Sequence, residues 1–155
     1  MLRSRLIVFL SILLIASAAA SCRGGGDKEI DQVLDTRTKA FETKDLALYM
    51  TLISPDYKQE KKGKIVGVEE VEKNFRINVD LFDELSVKNA DRTITSDGKK
   101  AHVVQKTYVD ASIEGSKSKF RIIERISLAK IDGKWLIVEE SDADFFTGYV
   151  FGGTK

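Results

Sequence analysis

The sequence predicts an α+β domain, with helices in the first half of the chain and a four-stranded antiparallel sheet in the second. Three observations predict it. Up to Phe82, apolar residues recur at helical spacing. After Asp83 the pattern changes to four stretches rich in β-branched residues. The separators "SDGKK", "EGSKS" and "DGK" are turn chemistry, and turns so short between long strands join antiparallel neighbours.

The first helix is predicted in "KEIDQVLDTRTKAFETK", where Ile30, Val33, Leu34, Arg37 and Phe41 share one stripe among charged residues. A second begins in "DLALYMTLIS", with Asp45 as N-cap and Leu46, Tyr49, Met50 and Ile53 on one side. Pro55 stops it, because the residue before a proline avoids helical geometry. "PDYKQEKKGKIVG" reads as a short hairpin turning at Gly63. The third helix, "GVEEVEKNFRINVDLF", aligns Val68, Val71, Phe75 and Phe82, with Val79 nearby. The strands follow in "ELSVKNADRTIT", "AHVVQKTYVDASI", "KFRIIERISLAKI" and "WLIVEE". Strict alternation puts Phe120, Ile122, Glu124, Ile126 and Leu128 on the helix-covered face, with Trp135, Ile137 and Glu139. The opposite face mixes Ile123, Leu136 and Val138 with Arg121, Arg125 and Ser127, which is too apolar for a plain solvated surface and suits cover by a second copy.

Length and composition bound the function. The chain has 155 residues, enough for one domain with a real core. Its 43% hydrophobic and 32% charged content is that of a soluble globular protein. Lys and Arg number 25 against 24 Asp and Glu, and removal of the leading segment with Arg3 and Arg5 leaves 23 against 24. That balance argues against nucleic-acid binding, which needs a basic excess. One Cys and one His make an internal disulfide impossible and a metal site improbable, and no cofactor motif is present.

The first 21 residues form a segment apart. "MLRSR" is basic, and "LIVFLSILLIASAAA" is uncharged and too short for a comfortable bilayer span of about 20 residues. Basic start, apolar stretch and small residues at the end read as a secretory signal. "Ala19-Ala20-Ser21-Cys22" resembles the lipobox of bacterial lipoproteins, although Ala19 stands where Leu is commonest. The resemblance implies cleavage before Cys22 and acylation of its thiol with chains such as palmitate. The alternative is ordinary cleavage after Ala18-Ala19-Ala20, leaving a free thiol. Residues 22–27 then serve as a glycine-rich tether, residues 28–142 as the domain and residues 143–155 as an aromatic tail. The expected location is exported and membrane-anchored. With Arg23 rather than Asp after the Cys, that is the periplasmic face of the outer membrane in a Gram-negative cell, and otherwise the outer face of the cell membrane.

"AFETKDLALYMTLISPDYK", "VGVEEVEKNF", "SDGKKAHV" and "IDGKWLIVEE", in that order and spacing, resemble the nuclear transport factor 2-like superfamily. That superfamily includes ketosteroid isomerase and the polyketide cyclase-like proteins and shares the cystatin-like architecture. The resemblance implies a cone, in which a curved sheet wraps the helices around a pocket, and frequent homodimers through the outer sheet face. It does not carry the isomerase activity over. The donor phenol falls on Arg37 or Thr38 and the base on Lys61, beside Glu60.

The residues expected at such a pocket are Tyr49, Tyr57, Phe75, Glu124, Trp135 and Glu139. Glu124 or Glu139, desolvated inside the cone, would gain a raised pKa and act as a base; paired with Lys or Arg, or at the rim, they would not. Tyr49 and Tyr57 either donate to a ligand or pack as core and rim tyrosines. His102 sits at a strand end opposite Ala101 and Val103 and reads as solvated. "KQEKKGK" reads as a solvated hairpin whose basic side can meet anionic headgroups. Phe145, Phe146, Tyr149, Val150 and Phe151 in the tail are costly to leave in water and are expected to pack on the domain. The sequence thus leads to a lipid-anchored binding module for a small apolar ligand or a protein. Its rivals are a pocket isomerase, dehydratase or hydrolase using Glu124 or Glu139, and a structural dimeric envelope protein.

Overall fold

The computed structural model describes residues 25–61 and 63–141. The signal segment, Cys22 and the aromatic tail lie outside the described residues.

The first helix, α1, runs Gly25–Glu42 and so begins inside the stretch read as tether. Asp27 in its first turn complements the positive helix end. Ile30, Leu34, Arg37 and Phe41, each three or four residues apart, form its buried stripe. The helix ends in a paired-bond cap. Lys44 takes φ 57°, its N–H donates to Phe41 O at 3.1 Å, and the Asp45 N–H donates to Ala40 O at 2.8 Å. Asp45 then caps α2 (Leu46–Met50) by accepting from Leu48 N at 2.9 Å. The hairpin follows as β1 (Gln59–Lys61) and β2 (Lys64–Val66), and α3 spans Val68–Val79 with Val71, Phe75 and Val79 buried.

Four long strands complete the domain: β3 (Glu84–Ser96), β4 (Lys100–Ile113), β5 (Ser116–Ile131) and β6 (Lys134–Ser141). They pair antiparallel in sequence order, as the turns predict. Glu114-Gly115 and Asp132-Gly133 are two-residue connections with positive φ at both positions, a geometry that matches the twist of the strands they join. The outer edge of β6 is covered by the segment after α2. Leu52 O accepts from Ile137 N at 2.8 Å, and Val138 O accepts from Lys58 N at 3.0 Å.

Two bulges break the alternation. On β3, Asp91 and Arg92 face one residue of β4, Gln105; Asp91 takes φ 50° and turns Arg92 toward the core. On β6, Ser127 pairs with Glu139 but Leu128 pairs with Ile137, which leaves Val138 extra. One added residue reverses the side of everything beyond it. Glu139 is therefore exposed on the outer face, and Glu140 faces the core. This corrects the expectation that Glu139 points into the cone. The core is one cluster drawn from all layers, with Phe41, Phe75, Leu34, Ile126 and Ile137 among its best buried members.

Candidate functional site

The interior between the helices and the sheet is built around Arg37. It occupies an apolar position on the α1 stripe and is 4% exposed. Its guanidinium lies 4.6 Å from the centroid of the Phe41 ring one turn on, a cation–π contact. Nη2 donates to Glu124 Oε1 on β5 at 2.9 Å, and Nε donates to Glu140 Oε1 on β6 at 2.6 Å. Glu124 Oε2 accepts from Gln105 Nε2 at 2.9 Å and from the Thr107 hydroxyl. Glu140 Oε2 accepts from the Tyr49 hydroxyl at 2.8 Å and the Tyr57 hydroxyl at 3.4 Å.

The network continues outward. Gln105 Oε1 accepts from Arg92 Nε at 2.8 Å, and Arg92 also bonds Asp31 at 2.7 Å and Asp35 at 3.0 Å. These groups border a cleft of about 520 Å³ between α1 and β3, lined also by Thr38, Asn89 and Asp91. Charged side chains line it, Asp31, Asp35, Lys88, Asp91 and Arg92 among them, and none of the pocket residues expected from the sequence does.

Electrostatics make the cluster a clamp. Burial works against the charge of Arg37, but Glu124 and Glu140 outweigh it and hold the guanidinium more firmly protonated than usual. Burial likewise opposes ionisation of Glu124, yet Arg37, Thr107 and Gln105 together hold its carboxyl below the ordinary glutamate value. Burial pushes Tyr49 and Tyr57 up, and the neighbouring Glu140 pushes them further, so both phenols stay protonated and serve as donors. A general base needs a raised pKa and a free lone pair aimed at substrate. Glu124 has neither, because both oxygens are bonded and its proton affinity is depressed.

The expected residues divide accordingly. Tyr49, Tyr57 and Glu124 come together; Glu139 leaves and Glu140 takes its place. Phe75, 1% exposed, backs the cluster by stacking on Tyr49 at 4.6 Å and on Phe41 at 5.5 Å. Trp135 is buried at the start of β6, its ring 5.8 Å from Lys130 Nζ, away from the cluster. His102 is exposed, with Nδ1 3.2 Å from Ser127 Oγ. Among the described residues no group of three or more His, Cys, Asp or Glu could hold a metal ion. No helix among them is long and apolar enough to cross a membrane. On the outer sheet face Val104, Tyr108 and Ile123 are exposed by 42%, 43% and 48%, with Lys106, Arg121 and Arg125 between them.

The polar core and its wrapping sheet can be placed among known proteins. The family model described as the SnoaL-like domain matches residues 30–141, from the first buried residue of α1 to the end of β6. The chain belongs to the SnoaL-like family. No curated protein matches it. Solved structures resemble this SnoaL-like domain in fold. A protein of unknown function with a cystatin-like fold from Nostoc punctiforme is 18% identical over 78% of this chain and 95% of that one, with a TM-score of 0.63. A candidate scytalone dehydratase from Novosphingobium aromaticivorans is 12% identical over 74% and 80%, with a TM-score of 0.65. A candidate ketosteroid isomerase from Shewanella frigidimarina is 18% identical over 75% and 95%, with a TM-score of 0.65. Identities this low establish a shared fold and leave function to the residues of this SnoaL-like domain itself.

Proposed function

We propose that this chain is a lipid-anchored cell-envelope binding module whose SnoaL-like domain performs no acid–base catalysis. One observation carries the second half of that reading. Arg37 lies between Glu124 and Glu140, so the carboxylates that could act as bases are bound to the protein's own cation. The interior groups that would meet a ligand already meet each other. In this reading the partner, small molecule or protein, is met outside that cluster. The anchor is supported by the signal pattern ending at Cys22, the only cysteine in the sequence.

Metabolic labelling with an alkyne fatty acid tests the anchor. The wild-type chain takes the label and sediments with membranes, whereas Cys22→Ala does neither. Retention of Cys22→Ala on the membrane would refute the anchor.

A second reading, a dehydratase or isomerase, is favoured by the two phenols that converge on Glu140 and by the names of two structural neighbours. In that reading Glu140, whose side chain is 15% exposed, replaces Glu139 as the base. A panel of enolisable ketones and β-hydroxy carbonyl substrates separates the two. The binding module turns none of them over faster than its Glu140→Gln variant, while turnover abolished by that substitution establishes the enzyme.

A further inference from the structure

We infer that the end of the domain bearing the Ser96–Lys100 and Asp132–Lys134 turns lies against the anionic headgroups of the membrane that holds the chain. This rests on the lipid anchor at Cys22 proposed above. The argument begins with reach. Helix α1 starts at Gly25, three residues after Cys22, and three residues span at most about 10 Å. Whatever surrounds the first turn of α1 is therefore held at the bilayer surface.

The structure shows what that is. Lys130 Nζ donates to Glu29 in the first turns of α1 at 2.8 Å, and Lys130 N donates to Lys99 O at 2.7 Å. Both lysine-bearing turns thus flank the start of the helix. Lys28, Lys99, Lys100, Lys130 and Lys134 stand there against Asp27, Glu29, Asp97 and Asp132, a small cationic excess. The Glu29 carboxylate is occupied by Lys130. The Asp97 carboxylate accepts from the Lys99 and Lys100 amides at 2.8 and 2.6 Å, which fixes it in its turn and keeps its negative charge beside Lys100. Asp27 and Asp132 are the remaining acids. Lys28, Lys99 and Lys134 are exposed and form no ion pair among the described residues, and Lys100 is exposed beside Asp97. Arg23 in the tether adds a further cation. Lysines this close to an anionic bilayer are attracted to it within a Debye length. The opposite end, at Glu114-Gly115, lies a strand length away, roughly 40 Å along β4.

The acylated Cys22 leaves the chain without another thiol, so a single introduced cysteine takes one fluorophore. Ser96→Cys labels the near end and Ser116→Cys the far end; both positions are exposed and neither change removes a charge. The lipidated protein is placed in vesicles of phosphatidylglycerol or phosphatidylcholine carrying a headgroup-attached quencher. The expected result in phosphatidylglycerol is severalfold stronger quenching at position 96 than at 116. Combining Lys99→Gln, Lys100→Gln and Lys134→Gln is expected to lower it to the phosphatidylcholine level. Equal quenching at the two ends overturns the orientation, and quenching at position 96 that ignores both lipid charge and the triple substitution overturns the contact with anionic headgroups; either result leaves the anchor standing. A mature N-terminus without acyl mass overturns the anchor and the orientation together.

Discussion

Arg37 sits where helical periodicity calls for an apolar side chain. Removing it while keeping its partners leaves two buried carboxylates without their cation. Arg37→Leu leaves Glu124 and Glu140 facing each other in the interior without a cation, which costs about 3–5 kcal/mol. Urea melts at pH 7 read the loss directly; a loss below about 1 kcal/mol would show that the clamp contributes little. Glu124 sets the acid limb. Its folded-state pKa lies below the ordinary value of 4.5, so the native protein binds fewer protons than the unfolded chain. The stabilisation is complete above that value and disappears as pH falls through the lower folded-state pKa. Glu124→Gln is therefore expected to flatten the decline in urea midpoint below about pH 5. An unchanged acid slope would contradict it. The sequence carried a trace of this cluster, since a guanidinium on an otherwise apolar stripe signals a buried partner. Which carboxylates answer it depended on pairings between residues 87 and 103 positions apart, and no local pattern encodes those.

Elements whose chemistry is local were legible. Asp45 was readable as an N-cap because a short acceptor ahead of an apolar helix has few other uses. In the structure it does double duty, closing α1 through its own N–H and opening α2 through its carboxylate. Asp45→Ala removes only the second function and is expected to cost about 1 kcal/mol, seen as a lower urea midpoint with an unchanged slope. Asp45→Asn should recover most of it. The turns were legible for the same reason, since Asp-Gly and Glu-Gly each join strands with two residues. The bulge at Val138 was not. Nothing in "WLIVEE" marks the extra residue, because what holds it lies elsewhere: the Val138 carbonyl accepts from Lys58, on the segment that covers the β6 edge. An alternation count made without that contact selects Glu139 and misses Glu140.

At the scale of the molecule, the order of helices and strands was enough to establish the architecture, because short turns and a covered sheet face leave few alternatives. Whether the cone is chemically active was beyond the sequence, since it turns on three charges meeting from three distant segments. That meeting has a kinetic side. α1 supplies Arg37, β5 Glu124, β6 Glu140 and α2 Tyr49, so none of these elements can detach without stranding a charge or a phenol in the interior. Their local opening is thereby suppressed, and they come apart together in one cooperative unit. The edge strand β3 joins that unit from outside, through Arg92 on Gln105, Asn89 on Thr38 and Thr107, and Glu42 on the Val87 amide. An opening of β3 breaks these outer links and leaves the three charges of the clamp paired.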